Sequence, residues 1–296
     1  MSTTELTVPA LEEKPLPPLT IAQSIYTVMA GIGAQLIGAI ALPLKPLLGE
    51  ETTSLVGYGL SLGLAVFIAC RIRGLPTERA SFDLRIPRAS TWLPLALGSI
   101  GLMVGVASPI ASLMPLSEGF RKWLAEAGSE TGFATLLAFV VAAPVLEELL
   151  FRGVILDGLL RKYSARTAIL VSSVLFGFMH LNPVQLVTGT IFGAFAGWVY
   201  FRSRSLLACI LIHMATNGTG YLARISVDEA KPVDVSASLV ESYGGLVPLV
   251  GIIAGSVLVA VLSIWALRRQ WRGRPVSRWP SSERRRSTSS RARLQT

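Results

Sequence analysis

Two adjacent carboxylates, Glu147 and Glu148, stand in the apolar stretch PVLEELLFRG, and the chain's only two histidines, His180 and His213, follow in FGFMH and HMATN. An ionised carboxylate near the centre of a bilayer costs roughly 3 kcal/mol or more, so acids in such surroundings point to function. Helical spacing divides their labour. Glu148 and Arg152 are four residues apart, share a face and can pair, whereas Glu147 is turned about 100° away and is left to face a cavity. Phe176 and His180 are also four apart, as are His213 and Asn217. Carboxylates removed from water suit general-base work, and imidazole and amide groups can stabilise developing negative charge. A plainer account exists for each residue alone. Arg152 could reach the interface from the polar end of a span, and a single histidine in a span is more often a packing or interhelical hydrogen-bonding residue. Two acids and two histidines together favour a site.

The elements that must position these residues are membrane spans. The 296-residue chain is 51% hydrophobic and only 15% charged, with mean hydropathy +0.57, which excludes an ordinary water-soluble globule. Eight apolar runs lie near 20–43, 54–71, 92–113, 131–156, 166–181, 184–201, 205–222 and 245–267, the fifth and seventh being the shortest. The expected fold is therefore all-α, a polytopic bundle of about eight transmembrane helices, because an open strand edge in lipid would leave backbone groups unpaired. At about 1.5 Å per residue, Glu147, His180 and His213 fall about 14, 21 and 12 Å from the inner ends of their spans, so modest tilting would let them meet. Pro109 and Pro144 interrupt the third and fourth spans. Gly189, Gly193 and Gly197 place a small residue at every fourth position of the sixth, which suits close intramolecular packing, with a dimer seam as the minority alternative.

Charge orients the bundle. With a cytoplasmic N-terminus, 22 of the 27 Lys and Arg residues fall inside; without the last 29 residues the count is still 12 inside against five outside, so both termini are expected in the cytoplasm. Residues 268–296 hold ten Arg and one Glu, which accounts for the whole formal charge of +9. That tail reads as disordered and first of all as a plain positive-inside topology signal, with contact to anionic lipid through its arginines as the alternative, and the basic balance is no sign of nucleic-acid binding. Residues 1–19 read as a polar segment without the features of a cleaved signal peptide. Trp265, Trp271 and Trp279 suit the interfacial zone. The stretch SEGFRKWLAEAGSE reads as a short amphipathic interfacial helix and SVDEAKPVD as surface loop. Cys70 and Cys209 form neither a disulfide framework nor a CxxC site.

The ordered motifs Glu147-Glu148-x-x-x-Arg152, Phe176-x-x-x-His180 and His213-x-x-x-Asn217 resemble those of the CAAX protease and bacteriocin-processing intramembrane peptidases, also called the abortive-infection family, which includes the Ras-converting CAAX prenyl endopeptidases. The resemblance covers roughly 131–220, the expected peptidase core of a transmembrane domain at 20–267. It implies an intramembrane endopeptidase in which Glu147 activates water, His180 helps to hold that water, and His213 and Asn217 stabilise the oxyanion, with Glu148, Arg152 and Phe176 supporting. The family has also been described as metallopeptidase, so zinc held by Glu147, His180 and His213 stays open. Without an HExxH helix to put two ligands on one face, metal-independent catalysis is favoured. The implied partner is a membrane-associated peptide or protein, and the CAAX reading suggests a C-terminal peptide entering from the cytoplasmic face. The same resemblance includes proteins whose role need not depend on cleavage, so a scaffold or bacteriocin-immunity protein is the alternative. An ion or proton relay is weaker, because no paired repeat of hydrophobic segments is evident. The sequence names no oligomeric state.

Overall fold

The computed structural model describes residues 16–75, 84–127, 130–226 and 239–273. These form α1 (Ile21–Leu48), α2 (Glu50–Arg73), α3 (Ala89–Ser112), α4 (Glu118–Ala127), α5 (Phe133–Leu160), α6 (Ala165–Phe178), α7 (Pro183–Ser203), α8 (Leu206–Ile225), α9 (Leu239–Ser242) and α10 (Leu246–Gln270). Among the described residues there is no strand. Seven of the helices, all but α4, α6 and α9, are long and apolar enough to cross a membrane. Their outward faces are greasy: Leu258, Val261 and Leu262 of α10 are each more than half exposed, as lipid-facing side chains should be.

The fifth expected span is corrected. α6 has 14 residues, about 21 Å of helix against the roughly 30 Å of a hydrocarbon core. It stops because Asn182 starts a new helix: the Asn182 Oδ1 caps the Gln185 N–H at 2.8 Å, and Pro183, which disfavours helical backbone at the preceding residue, follows at the first helical position. His180 thus sits in the turn between α6 and α7 rather than within a span.

α5 is the axis of the bundle. Every residue from Leu150 to Leu160 is buried, packed by α2, α6, α7 and α8. Its hydrogen-bonding pattern is irregular, widening to π turns over Leu137–Ala142 and Leu149–Leu156. The first contains Val140, whose carbonyl faces the position where Pro144 has no N–H to offer; α3 does the same at Met103–Ala107, ahead of Pro109. α6 and α7 meet along the glycine stripe. A Cβ at Gly189 would stand 3.0 Å from the Gly177 Cα, and one at Gly193 3.0 Å from the Ser173 Cα, so the stripe serves intramolecular packing.

At the other end of α5, Asp157 ties the bundle together. Its carboxylate receives Arg73, Arg161 at 3.0 Å, Arg204 at 2.8 Å and the Tyr200 hydroxyl at 3.1 Å. Arg73 also donates to the carbonyls of Pro17, Gly153 and Val154, and the Leu19 N–H donates to the Gly158 carbonyl at 2.9 Å. Residues just before α1 are therefore packed on the domain. α10 runs three residues past the expected end of its span; Trp271 is buried, with its ring 5.1 Å from that of Trp198 and its carbonyl accepting from Arg202. Trp265 is half exposed with the Arg269 guanidinium over its ring. The expected amphipathic helix is α4. The rest of the basic tail with Trp279, the first fifteen residues and nearly all of SVDEAKPVD lie outside the described residues.

Candidate active site

Glu147 projects from α5 at the level where the helix carries its two acids. Its Oε1 accepts a hydrogen bond of 2.5 Å from the Tyr58 hydroxyl of α2. The Nε2 of His180 lies 3.9 Å from Oε1, and the Nε2 of His213 lies 3.8 Å from Oε2. These separations are too long for direct hydrogen bonds and suit a small bridging molecule such as water.

Both imidazoles are turned by what holds their far nitrogens. The His180 Nδ1 is 2.9 Å from the Phe176 carbonyl, one turn back, and the His213 Nδ1 is 2.8 Å from Glu148 Oε1. Each partner is an acceptor, which assigns the ring proton to Nδ1 and, in the neutral ring, leaves the Nε2 lone pair facing Glu147. Glu148 is thereby more than a partner for Arg152. Its Oε1 takes Arg152 Nη1 at 2.8 Å as well as His213, while its Oε2 is buried with no hydrogen-bond partner among the described residues.

Phe176 is the packing centre of the site. Its ring meets His180 edge-on at 5.2 Å and His213 at 5.7 Å, and the Arg152 guanidinium lies 4.8 Å over it. The same guanidinium donates to the Gly193 carbonyl at 3.2 Å. That glycine therefore serves two ends, close helix packing and an anchor for the arginine. Phe192 completes the wall, 4.5 Å from the His213 ring.

A cavity of about 800 Å³ brings Glu147, His180, His213 and Asn217 to one space, a size typical of ligand-binding clefts. Asn217 lines it one turn beyond His213, with Nδ2 donating to the Phe139 carbonyl at 2.8 Å; that bond uses one of its two amide hydrogens. Glu148 and Arg152 are buried behind the lining rather than part of it. Two imidazole nitrogens and a carboxylate are donor types that suit zinc, but among the described residues no three His, Cys, Asp or Glu side chains are gathered closely enough to ligate one ion.

Tyr58, Phe192 and the Glu148–His213 bond were not read from the sequence. Tyr58 is 89 residues from Glu147 and occupies a span with no other chemical marker. The only available signal was a phenol in an otherwise apolar run.

Residues 129–219 match the protein family described as "Type II CAAX prenyl endopeptidase Rce1-like". A Bacillus subtilis (strain 168) protein named "Putative membrane peptidase YdiL" is 32% identical over 77 residues, which cover 26% of this chain and 32% of that protein. The chain thus spans about a third of the length of the curated relative it matches. No solved structure matches it. Glu147, His180, His213 and Asn217, with Glu148, Arg152, Phe176 and Phe192 around them, therefore fall inside a segment similar to the Rce1-like type II CAAX prenyl endopeptidases, whereas Tyr58 lies outside it.

Proposed function

We propose that the protein is an intramembrane endopeptidase of the CAAX-processing type, hydrolysing a peptide bond near a terminus of a membrane-associated protein. The observation that carries this reading is the convergence of two braced imidazole Nε2 atoms on one carboxylate, at 3.8 and 3.9 Å, inside a cavity set among membrane-spanning helices.

In this reading a water between Glu147 and His180 gives one O–H to each. Its lone pair is then aimed at the scissile carbonyl, and Glu147 takes the proton as the bond to carbon forms. Tyr58 holds Oε1 and so fixes the rotamer of the base. The remaining amide hydrogen of Asn217 and the Nε2 of His213 stabilise the oxyanion. His213 donates from Nε2 only when that nitrogen also carries a proton. No metal is required by this scheme. The zinc alternative is supported by the same Nδ1 anchoring, since an imidazole held by a carboxylate or carbonyl is the usual arrangement behind a metal ligand.

The test is terminal peptide mapping of membrane proteins in cells carrying Glu147→Ala in place of the wild-type chain. A peptidase leaves a membrane protein uncleaved in the variant. Identical maps, with function retained, would instead favour a scaffold or immunity role. Washing the purified protein with a strong chelator should leave cleavage unchanged; loss restored by zinc would replace the water-only scheme.

A further inference from the structure

The cavity around Glu147 has a direction. Of its exposed lining residues, Glu50, Ser54, Trp123, Glu130 and Gly220 lie at one end of the bundle, in the first turns of α2, α4, the approach to α5 and the late turns of α8, while Gln35, Tyr58 and Gln185 lie at the level of the site and none lies at the opposite end. Towards the other end the way is blocked. α5 is buried without interruption from Leu150 to Leu160, and beyond the site Asp157 draws in Arg73 from α2, Arg161 from the end of α5 itself, and Tyr200 and Arg204 from the α7 end.

The two ends also differ in charge. The closed end carries Arg73, Arg161, Arg166, Arg202, Arg204 and Arg268, which terminate or begin five different helices or loops; the open end has Lys45, Arg121, Lys122 and Arg224, set among acids such as Glu50, Glu51, Glu118 and Glu130. Lys and Arg flanking spans accumulate on the cytoplasmic side. We infer that the site is served from the non-cytoplasmic face, and that its substrate is a peptide segment presented on that side rather than a prenylated cytoplasmic tail.

This inference runs against the expectation of a peptide entering from the cytoplasm. It rests on the peptidase reading only for the word substrate, because the direction of the opening follows from burial and charge alone. The volume suits a few residues of extended peptide, and the acids at its mouth would tolerate a basic residue there better than an acidic one.

The test is cysteine accessibility in the full-length chain, expressed in the inner membrane of bacterial spheroplasts and treated with a membrane-impermeant maleimide. Ser54→Cys reports the cavity mouth and Lys162→Cys the closed end; both are made in a Cys70→Ser chain, because Cys70 is part-exposed near the closed end while Cys209 is buried, and that chain alone supplies the blank. Ser54→Cys should label to the same extent before and after permeabilisation, and Lys162→Cys only after it. The reverse pattern, or Ser54→Cys that labels only in permeabilised membranes, overturns the inference. Glu130→Cys, at the same mouth, takes the place of Ser54→Cys if that variant does not accumulate. Labelling needs no turnover, so a failed search for cleavage products would remove the peptidase reading and leave the direction of access standing.

Discussion

The His213 Nδ1 lies 2.8 Å from Glu148 Oε1, across 65 residues of sequence. The same oxygen holds Arg152. The second acid of the pair is thus a bridge that fixes an arginine on one side and aims an imidazole on the other.

Glu148→Gln should therefore unsettle both fold and chemistry. Arg152 is 1% exposed, and removing the partner of a buried ion costs about 3–5 kcal/mol. We expect less folded protein in detergent, read by size exclusion and thermal melting. The charge swap Glu148→Arg with Arg152→Glu would restore a simple pair. Here it should recover folded protein only in part and no turnover, since His213 Nδ1 would face a guanidinium. Full activity in the swap would show that the His213 contact is dispensable.

Tyr58→Phe removes one hydroxyl and little volume. A hydrogen bond to a charged group contributes about 1.5–3 kcal/mol, so kcat should fall by roughly 10- to 100-fold if the bond fixes Glu147 for proton abstraction. KM and melting temperature should change little. An unchanged kcat would assign Tyr58 to the cavity wall alone.

The histidines should separate. The His180 side chain is 21% exposed and braced only by the Phe176 carbonyl in the last turn of α6, whereas that of His213 is 6% exposed and braced by Glu148. His180→Ala should abolish cleavage with little change in stability. His213→Ala should abolish it and also lower stability by about 1–3 kcal/mol, because Glu148 loses a buried hydrogen-bond partner. Equal melting temperatures for the two variants would contradict the asymmetry.

What could be read from sequence was mostly local. Glu148 with Arg152 and Phe176 with His180 are one helical turn apart, so spacing alone places each pair on a face. The spans were legible because lipid demands long apolar runs, and the depth estimate brought the Glu147, His180 and His213 levels close enough to meet. Which histidine serves which carboxylate was not legible, since that choice is made by how α8 packs on α5. Tyr58 reaches Glu147 from α2 for the same reason. The end of α6 was misjudged because hydropathy runs on through Met179 and Leu181, while the Asn182 cap and Pro183 decide where the next helix begins. Asp157 was overlooked for want of a local partner other than Arg161; its other donors come from α2 and from the α7 end.

Asp157 supplies the last prediction. It lies ten residues beyond Glu147, about 15 Å along the helix, at the end of the bundle away from the cavity. Asp157→Asn keeps the shape and one acceptor oxygen but removes the charge that balances Arg73, whose side chain is 1% exposed. Breaking such a buried pair costs about 3–5 kcal/mol, so melting temperature and folded yield should fall sharply. kcat per folded molecule should hold, because none of the groups at Asp157 reaches the cavity. Adding Arg73→Met removes the stranded charge and should recover part of the loss, since a buried ion pair replaced by apolar side chains is often neutral or stabilising. That recovery is limited by the carbonyls of Pro17, Gly153 and Val154, which lose their donor. If Asp157→Asn melted like the wild type but lost turnover, Asp157 would belong to the chemistry, and the division of α5 into a reactive half and a structural half would fail.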